Sequence, residues 1–340
     1  MSLNLRLAFL FNTRRVSNPN DPNFSLEADF DDSETIRVMT SHFEALGCRV
    51  SPIEADETAY EKLYKNKEDI DLVFNYAEGR YGADREAQLP AILEMLQIPY
   101  TGSGPLTQVL GLNKVKAKEV LSAHGVATLP FQLFKSGDET WSQELAFPVI
   151  VKPVAQGSSA GITNDSVVET ETALRAQVKK IISQFNQPAL VEPFLIGREF
   201  SVAMLGNPPQ ILPIIEANHA TLPKKYKQLD SLEVKWLYEE SGETGHLICP
   251  AQIEESLRKK IEEIVMAAWN YLEVRDWCRM DIRCDTEEKP YFLEMNSPAG
   301  MIPPEVSTTS YFPLAARAAG MEYEQLLETI ITTARVRHGK

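Results

Sequence analysis

Short apolar segments alternate with segments of helical periodicity over the first hundred residues. The segments 5–11 and 70–74 have the apolar content of buried strands, whereas apolar residues recur every three or four positions over 36–46 and 89–96. Strands that alternate with helices usually pair in parallel, because the intervening helix returns the chain to the same end of the sheet. The sequence therefore predicts an N-terminal α/β unit built on a parallel sheet. Asp31 and Glu34 precede the first helix, where a side-chain oxygen can accept hydrogen bonds from the free N–H groups of the first turn.

The remaining chain has a different pattern. After residue 105, strands and helices no longer alternate strictly, which indicates an α+β second half. Strands are expected over 147–152, 189–194, 199–205, 277–283 and 291–295, and helices over 114–125, 174–185, 253–272 and around 326–330.

The charge balance limits the classes of molecule that the protein can bind. The 340 residues include 34 Lys and Arg against 48 Asp and Glu, which gives a formal net charge of −14. Such a field repels nucleic-acid backbones. Apolar runs are interrupted well before they reach the length of a membrane span. Four scattered cysteines without a C-x-x-C pair are typical of a reducing compartment. We therefore predict a soluble cytoplasmic protein with small-molecule partners and no nucleic-acid or membrane partner.

A loop of small residues follows the strand predicted over 147–152. It has the sequence Gln156-Gly-Ser-Ser-Ala-Gly161, and Lys152 closes the strand before it. Small residues let backbone N–H groups approach an anion, and the lysine adds a positive charge where a triphosphate would lie. The loop matches neither Walker A nor G-x-G-x-x-G, and on its own it fits an ordinary Gly/Ser hairpin equally well.

Hard oxygen donors occur together nearer the C-terminus. Glu294 and Asn296 are two residues apart on one predicted strand, so their side chains share a face, and Asp281 lies on the preceding strand. Such oxygens suit Mg²⁺ that bridges phosphates. Arg279 points to the same side as Asp281 and could neutralise charge in a transition state. Solvated side chains on an exposed strand are the alternative.

The segment 190–199 joins an extended backbone to two glutamates, Glu192 and Glu199. Free backbone groups there can bind an adenine edge, and the downstream carboxylate can accept hydrogen bonds from ribose hydroxyls. Alone, the segment is more typical of a β-hairpin.

Together these motifs resemble the ATP-grasp superfamily and, within it, the D-alanine–D-alanine ligase family. The shared order is Lys114, Lys152, the Ser/Gly loop, Glu192 and Glu199, Arg279-x-Asp281 and Glu294-x-Asn296. The resemblance extends over nearly the whole chain and implies an ATP-grasp fold. The implied parts are an N-terminal parallel-sheet (pre-ATP-grasp) domain, residues 1–108, a small central lobe, residues 109–195, and a larger C-terminal lobe, residues 196–340.

The resemblance implies an ATP site between the central and C-terminal lobes. The cofactor-binding residues would be Lys114, Lys152, Ser158, Ser159, Gly161, Glu192, Leu195, Glu199 and Lys235. Asp281, Glu294 and Asn296 would hold two Mg²⁺ ions, with Mn²⁺ as a substitute. Because the family is typically homodimeric, a homodimer is expected.

The implied reaction joins a carboxylate to an amine. The carboxylate attacks the γ-phosphorus of ATP to form an acyl phosphate, and the amine then forms the amide as ADP and phosphate are released. The catalytic residues would be Arg279, Lys235 and Ser158, which position the reactants and stabilise charge. The corresponding cellular role is peptidoglycan synthesis in cell-wall biogenesis.

Departures from the family pattern concentrate where the two amino acids would bind. Asp31 is the nearest match to the family's N-terminal acidic residue; the alternatives are Glu27, Asp32 and Glu34. Glu78 replaces a histidine and Trp236 replaces a tyrosine. The loop between Gly300 and Ser310 is longer than in the family and adds an acid, Glu305.

Such changes can alter the substrate without altering the chemistry. The expected substrate-binding residues are Asp31, Glu78, Trp236, Gly300 and Ser310. One alternative is therefore a related ATP-grasp ligase that joins a different amino-acid or natural-product pair. A second alternative is a nucleotide-binding protein without catalysis, although the expected metal ligands and phosphate-binding lysines are all present.

Overall fold

The computed structural model describes residues 2–18, 21, 23–142, 144–239 and 245–340. Its N-terminal sheet is parallel, with strand order β2-β1-β3. The strands are β1 (Arg6–Phe11), β2 (Arg49–Glu54) and β3 (Leu72–Asn75), and the helices are α1 (Ser33–Ala45), α2 (Ala59–Asn66) and α3 (Gln88–Leu96). The central strand β1 is buried over most of its length, as a strand covered on both faces must be. The predicted parallel sheet is present.

Two details of this unit differ from the sequence prediction. The strand β2 and the helix α2 were not expected, because β2 lies at a sheet edge and exposes most of its side chains, so it lacks a clear apolar pattern. The prediction that Asp31 caps α1 is wrong. Asp32 is the cap, and its side chain accepts a hydrogen bond from Thr35 N–H at 2.7 Å. Glu34 instead pairs with Arg37 on the helix surface.

The central sheet is antiparallel, with strand order β4-β7-β5-β6. Its strands are β4 (Gln132–Phe134), β5 (Val149–Pro153), β6 (Val167–Val168) and β7 (Ala189–Pro193). The helices α4 (Pro105–Leu112) and α5 (Lys114–Ala123) precede it, and α6 (Glu171–Phe185) packs on it. The apolar face of α6, including Leu174 and Val178, shares a buried core with β5.

The C-terminal sheet is also antiparallel, in the order β11-β10-β8-β12-β13, with β9 paired to β8. Its strands are β8 (Glu199–Leu205), β9 (Gln210–Ile211), β10 (Ile215–Ala217), β11 (Leu247–Ile248), β12 (Trp277–Cys284) and β13 (Pro290–Asn296). The helices of this part are α7 (Glu255–Tyr271), α8 (Tyr311–Ala318) and α9 (Tyr323–Arg337).

The expectation of a hairpin over 190–199 is wrong. The strand β7 pairs with β4 and β5, whereas β8 pairs with β10 and β12, so the chain crosses from the central to the C-terminal sheet between them. The predicted boundary at 195 falls in this crossing, and the one at 108 falls within α4. The domain boundaries stay predictions.

One apolar core joins the N-terminal and C-terminal parts. The Trp277 ring lies 5.6 Å from that of Phe312 and 6.2 Å from that of Phe74. Beside it, Arg337 of α9 donates to the buried Asp276 carboxylate at 2.7 Å and to the Tyr100 carbonyl at 2.8 Å. These contacts fix the cleft that lies between the three sheets. Among the described residues, no helix has the length and apolarity needed to span a membrane.

Candidate active site

Within the described part of the chain, two adjoining cavities lie where the three sheets meet. The larger, of about 620 Å³, is bounded by the N-terminal unit, the Ser/Gly loop and the loop 300–310. The smaller, of about 80 Å³, lies between the central and C-terminal sheets. Lys235 and Glu294 line both cavities. A ligand in the smaller cavity would therefore meet a ligand in the larger one at these two side chains.

The three expected metal ligands lie together on β12 and β13. The antiparallel register places Asp281 opposite Glu294 and Arg279 opposite Asn296. The Asn296 amide donates to Asp281 at 3.1 Å, and Lys114 Nζ lies 3.0 Å from a Glu294 oxygen.

This donor set fits Mg²⁺, which is commonly held by one or two carboxylates together with substrate phosphates and water. Among the described residues, no group of three or more His, Cys, Asp and Glu side chains is arranged for a metal. The two carboxylates and the amide of this site would leave the other coordination positions to phosphate and water.

A buried carboxylate organises the expected phosphate-binding lysines. Glu192, at 1% exposure, forms ion pairs with Lys152 and, at 3.0 Å, with Lys118. Burial opposes ionisation of Glu192, but the charges of the two lysines outweigh it and lower the pKa of this carboxyl to about 2. Lys118 is fully buried and was not identified from the sequence. Glu192 thus fixes the position of Lys152 beside the smaller cavity.

The Ser/Gly loop has the conformation that its small residues permit. Ser158, Ser159 and Gly161 have positive φ angles of 45°, 58° and 75°. A Cβ on Gly161 would lie 2.6 Å from the Phe185 ring, so glycine is required there. The Ser159 hydroxyl donates to the Asp230 carbonyl at 2.6 Å, which ties the loop to the C-terminal part.

Lys235 lies on a single π-helical turn, Val234–Tyr238, beside Asp230. Its Nζ is 3.1 Å from an Asp230 carboxylate oxygen. Burial lowers the pKa of Lys235, but Asp230 and Asp281 more than offset this, so the net shift is upward and the amine stays charged. On the same turn, Trp236 Nε1 donates to the Ser158 carbonyl at 3.4 Å. The turn therefore joins the Ser/Gly loop to the wall between the cavities.

Leu195 and Glu199 line the smaller cavity, on the crossing between the two sheets. The Glu199 carboxylate forms an ion pair with Arg283 and a hydrogen bond of 3.0 Å with His219 Nε2. Burial opposes the charge of Glu199, but these two partners hold its pKa well below the ordinary value. A charged acceptor is thus available at this end of the cleft.

The expected substrate-binding residues line the larger cavity: Asp31, Glu78, Trp236, Gly300 and Ser310. Two of the alternatives to Asp31 are engaged elsewhere, since Glu27 pairs with Arg80 and Glu34 pairs with Arg37, whereas Asp32 caps α1 and also lines the cavity. Burial raises the pKa of Asp31 to about 6, because its effect exceeds that of a hydrogen bond from Tyr76, which lowers the pKa.

The expectation that Glu305 adds an acid to the pocket is wrong. Glu305 is exposed, does not line the cavity, and lies 3.4 Å from His42 on α1. The loop instead supplies an apolar side chain and hydroxyls, from Val306, Ser307, Thr308 and Thr309. Ser310 closes the loop, because its hydroxyl accepts from Ile302 N–H at 3.1 Å and donates to the Gly300 carbonyl at 3.3 Å.

An ion pair that the sequence did not reveal holds the Ser/Gly loop from the N-terminal side. Arg85 donates to Asp29 at 2.7 Å and to the Ala155 carbonyl at 2.9 Å. Gly157 N–H donates to the same Asp29 carboxylate at 3.3 Å. A Cβ on Gly157 would lie 2.5 Å from Asp29, so only glycine allows this approach. In the sequence, Gly157 was the one residue that pointed to this close approach.

The chain is similar in sequence to known proteins. A family profile described as D-ala D-ala ligase C-terminus matches residues 120–332. The D-alanine–D-alanine ligase of Pelotomaculum thermopropionicum is 34% identical over 279 residues, which cover 79% of this chain and 81% of that protein. The chain belongs to the D-alanine–D-alanine ligase family. An uncharacterized protein of Sinorhizobium fredii is 37% identical over 268 residues, covering 78% of this chain and 75% of that protein.

The fold of this D-alanine–D-alanine ligase family member matches solved structures. The structure of the Bacillus anthracis D-alanine–D-alanine ligase complexed with ATP gives a TM-score of 0.74 at 21% identity, covering 98% of this chain and 99% of that chain. The predicted ATP-grasp fold is confirmed, and so is the predicted class of enzyme, an ATP-dependent ligase that forms C–N bonds as amides. The roles of individual residues stay predictions.

Proposed function

We propose that the enzyme activates the carboxylate of one amino acid as an acyl phosphate and joins it to the amine of a second, releasing ADP and phosphate. The observation that carries the proposal is that Lys235 and Glu294 line both cavities. A nucleotide in the smaller cavity would place its terminal phosphate beside these side chains. A carboxylate in the larger cavity would approach the phosphorus from the other side.

The residues that suit ATP are divided between the two cavities: Lys152, Ser159, Leu195 and Glu199 line the smaller one, and Lys114, Ser158 and Asn296 line the larger one. Lys114, Lys152 and the backbone of Ser158, Ser159 and Gly161 would hold the phosphates, whereas Glu192, Leu195 and Glu199 would border the adenosine. Asp281, Glu294 and Asn296 would bind Mg²⁺, which neutralises phosphate charge when bound. Two ions, and replacement by Mn²⁺, are part of this proposal.

Catalysis then consists of positioning and charge stabilisation. A carboxylate oxygen attacks the γ-phosphorus, and the bond from that phosphorus to the bridging oxygen of ADP breaks. Lys235 would neutralise the phosphoryl group in transfer. The neutral amine next attacks the acyl carbon, and phosphate leaves with the former carboxylate oxygen. Arg279 would stabilise the oxyanion of this step, since it stays charged beside Asp281, with which it forms two hydrogen bonds. Ser158 would orient the first substrate.

The names of the relatives suggest D-alanine as both substrates. D-Alanyl-D-alanine, a peptidoglycan precursor, is therefore the first product to test. A different amino-acid pair is the second candidate, because Glu78, Trp236 and the loop 302–309 alter the larger cavity. A cytoplasmic homodimer without nucleic-acid or membrane partners completes the proposal.

The test is turnover by the purified protein with ATP, Mg²⁺ and a panel of D- and L-amino acids. ADP and phosphate release should depend on an amino acid, and mass spectrometry should detect an amide product. Lys235→Met should abolish release, whereas Lys224→Met, at an exposed lysine, should not. Nucleotide binding without ADP formation for every pair would overturn the proposal and favour a protein that only binds nucleotide.

A further inference from the structure

A pair of carboxyl groups lines the larger cavity on its N-terminal side. Glu78 and Glu86 both border the cavity, and their side chains hydrogen-bond each other. Glu86 is only 7% exposed. A carboxyl pair buried at the wall of a cavity loses hydration without gaining a positive partner.

The neighbouring cations are already engaged. Arg85 pairs with Asp29 at 2.7 Å, and Lys114 pairs with Glu294 at 3.0 Å. Among the described residues, no Lys, Arg or His nitrogen forms an ion pair with Glu78 or Glu86. Glu86 is thus a deeply buried acid at the wall of the cavity that has no ion pair with any described residue.

The electrostatic surroundings keep a proton on the pair. Burial raises the pKa of Glu86 to about 7 and that of Glu78 well above the ordinary value. Asp29 adds to both shifts, and the charges of Arg85 and Lys114 offset them only in part. The proton between the two acids can be replaced by any cation that enters the cavity.

We propose that Glu78 and Glu86 bind a second cationic group of the carboxylate donor, so that the first substrate is an amino acid with a positively charged side chain. The inference rests on the proposed function and adds the substrate class. The pair and Asp31 belong to the N-terminal unit and line the cavity together, whereas the family resemblance assigns the acceptor to Gly300 and Ser310 of the C-terminal part. A cationic side chain restores the missing charge partner, and a neutral one leaves the acids without it.

The kinetic test compares D-ornithine with D-norleucine, whose side chains are equal in length and differ in charge. D-Lysine, D-alanine and the L-enantiomers complete the panel, at a saturating acceptor. We expect kcat/KM for the cationic donor to exceed that for norleucine on the order of tenfold or more. In the double variant with Glu78→Gln and Glu86→Gln this ratio should fall towards one. Glu119→Gln, at an exposed helix position, should leave the ratio unchanged.

A binding measurement separates this inference from the proposed function. Calorimetry with Mg²⁺ and a non-hydrolysable ATP analogue should show that lysine binds more tightly than norleucine. Its heat should also vary with the buffer, because a proton is released. Both effects should vanish in the double variant, whose fold is checked by thermal unfolding. If lysine binds in this way but no donor gives ADP, the proposed reaction fails and the cation subsite stands. Equal binding of lysine and norleucine overturns the subsite.

Discussion

Asp281 and Glu294 face each other across the antiparallel strands β12 and β13. Because they supply both carboxylates of the expected metal site, we expect Asp281→Asn and Glu294→Gln each to lower turnover on the order of a hundredfold. ADP release measured over a range of Mg²⁺ concentrations checks this. Glu287→Gln, at an exposed position of the turn after β12, is the matched control and should keep its activity. Unchanged Mg²⁺ dependence in both variants would contradict the assignment.

Glu192 should be essential for folding stability. The variant Glu192→Gln removes the negative charge and leaves Lys118 and Lys152 buried without a counter-ion. Loss of one partner of a buried ion pair costs roughly 3–5 kcal/mol of folding free energy. The free energy of unfolding in urea measures this loss. Glu263→Gln, at an exposed position of α7, should cost little. A loss below about 1 kcal/mol would show that water solvates the lysines despite their burial.

The lowered pKa of Glu192 predicts that the stability of the protein depends on pH. The pKa of Glu192 is lowered from about 4.5 to about 2 in the folded protein. Its ionisation therefore contributes stability that is fully present above pH 4.5 and is lost as the pH falls through 2. The difference in unfolding free energy between the wild type and Glu192→Gln should accordingly shrink between these values. A constant difference would contradict the lowered pKa.

Gly157 should be required for nucleotide affinity. A methyl group there would meet Asp29 at 2.5 Å and displace the carboxylate that holds the Ser/Gly loop. We expect Gly157→Ala to raise KM for ATP on the order of tenfold. Gly245→Ala is the control, because no described residue lies within 4 Å of its Cβ position. Equal KM values in both variants would show that the loop does not depend on Asp29.

We expect the affinity for the first amino acid to change with pH as Asp31 ionises. Burial raises the pKa of Asp31 to about 6, although the Tyr76 hydroxyl and the Arg14 charge oppose the shift and Asp32 adds to it. KM for the first substrate should therefore fall as the pH rises through 6, because the ionised form binds an ammonium group. In Asp31→Asn the step should disappear and KM should be high throughout. A step that persists in this variant would assign it to another group.

The sequence predicted those parts of the site that depend on local geometry. Side chains alternate along a strand, so the spacing of Glu294 and Asn296 was enough to place them on one face, and β12 lay beside them. The Ser/Gly loop was recognisable because left-handed backbone demands small residues. The strands β5 and β8 were found because most of their residues are apolar, and β12 because apolar residues alternate with charged ones along it.

Contacts between distant segments could not be predicted. Lys118 is one of several lysines on a helix, and only the packing of α5 against the central sheet brings it to Glu192. Glu305 lies near His42 of α1, which is 263 residues away in the sequence. The pairing of Arg85 with Asp29 depends on how the N-terminal unit packs on the Ser/Gly loop. Each of these contacts follows from tertiary packing, which no local pattern encodes.

The most direct test of the acyl-phosphate mechanism follows an oxygen atom. The first amino acid is supplied with ¹⁸O in its carboxylate, and the phosphate released during turnover is analysed by mass spectrometry. If the carboxylate attacks the γ-phosphorus at the wall formed by Lys235 and Glu294, each phosphate will carry one ¹⁸O from the substrate. Phosphate without the label, its fourth oxygen taken from water, would contradict the mechanism.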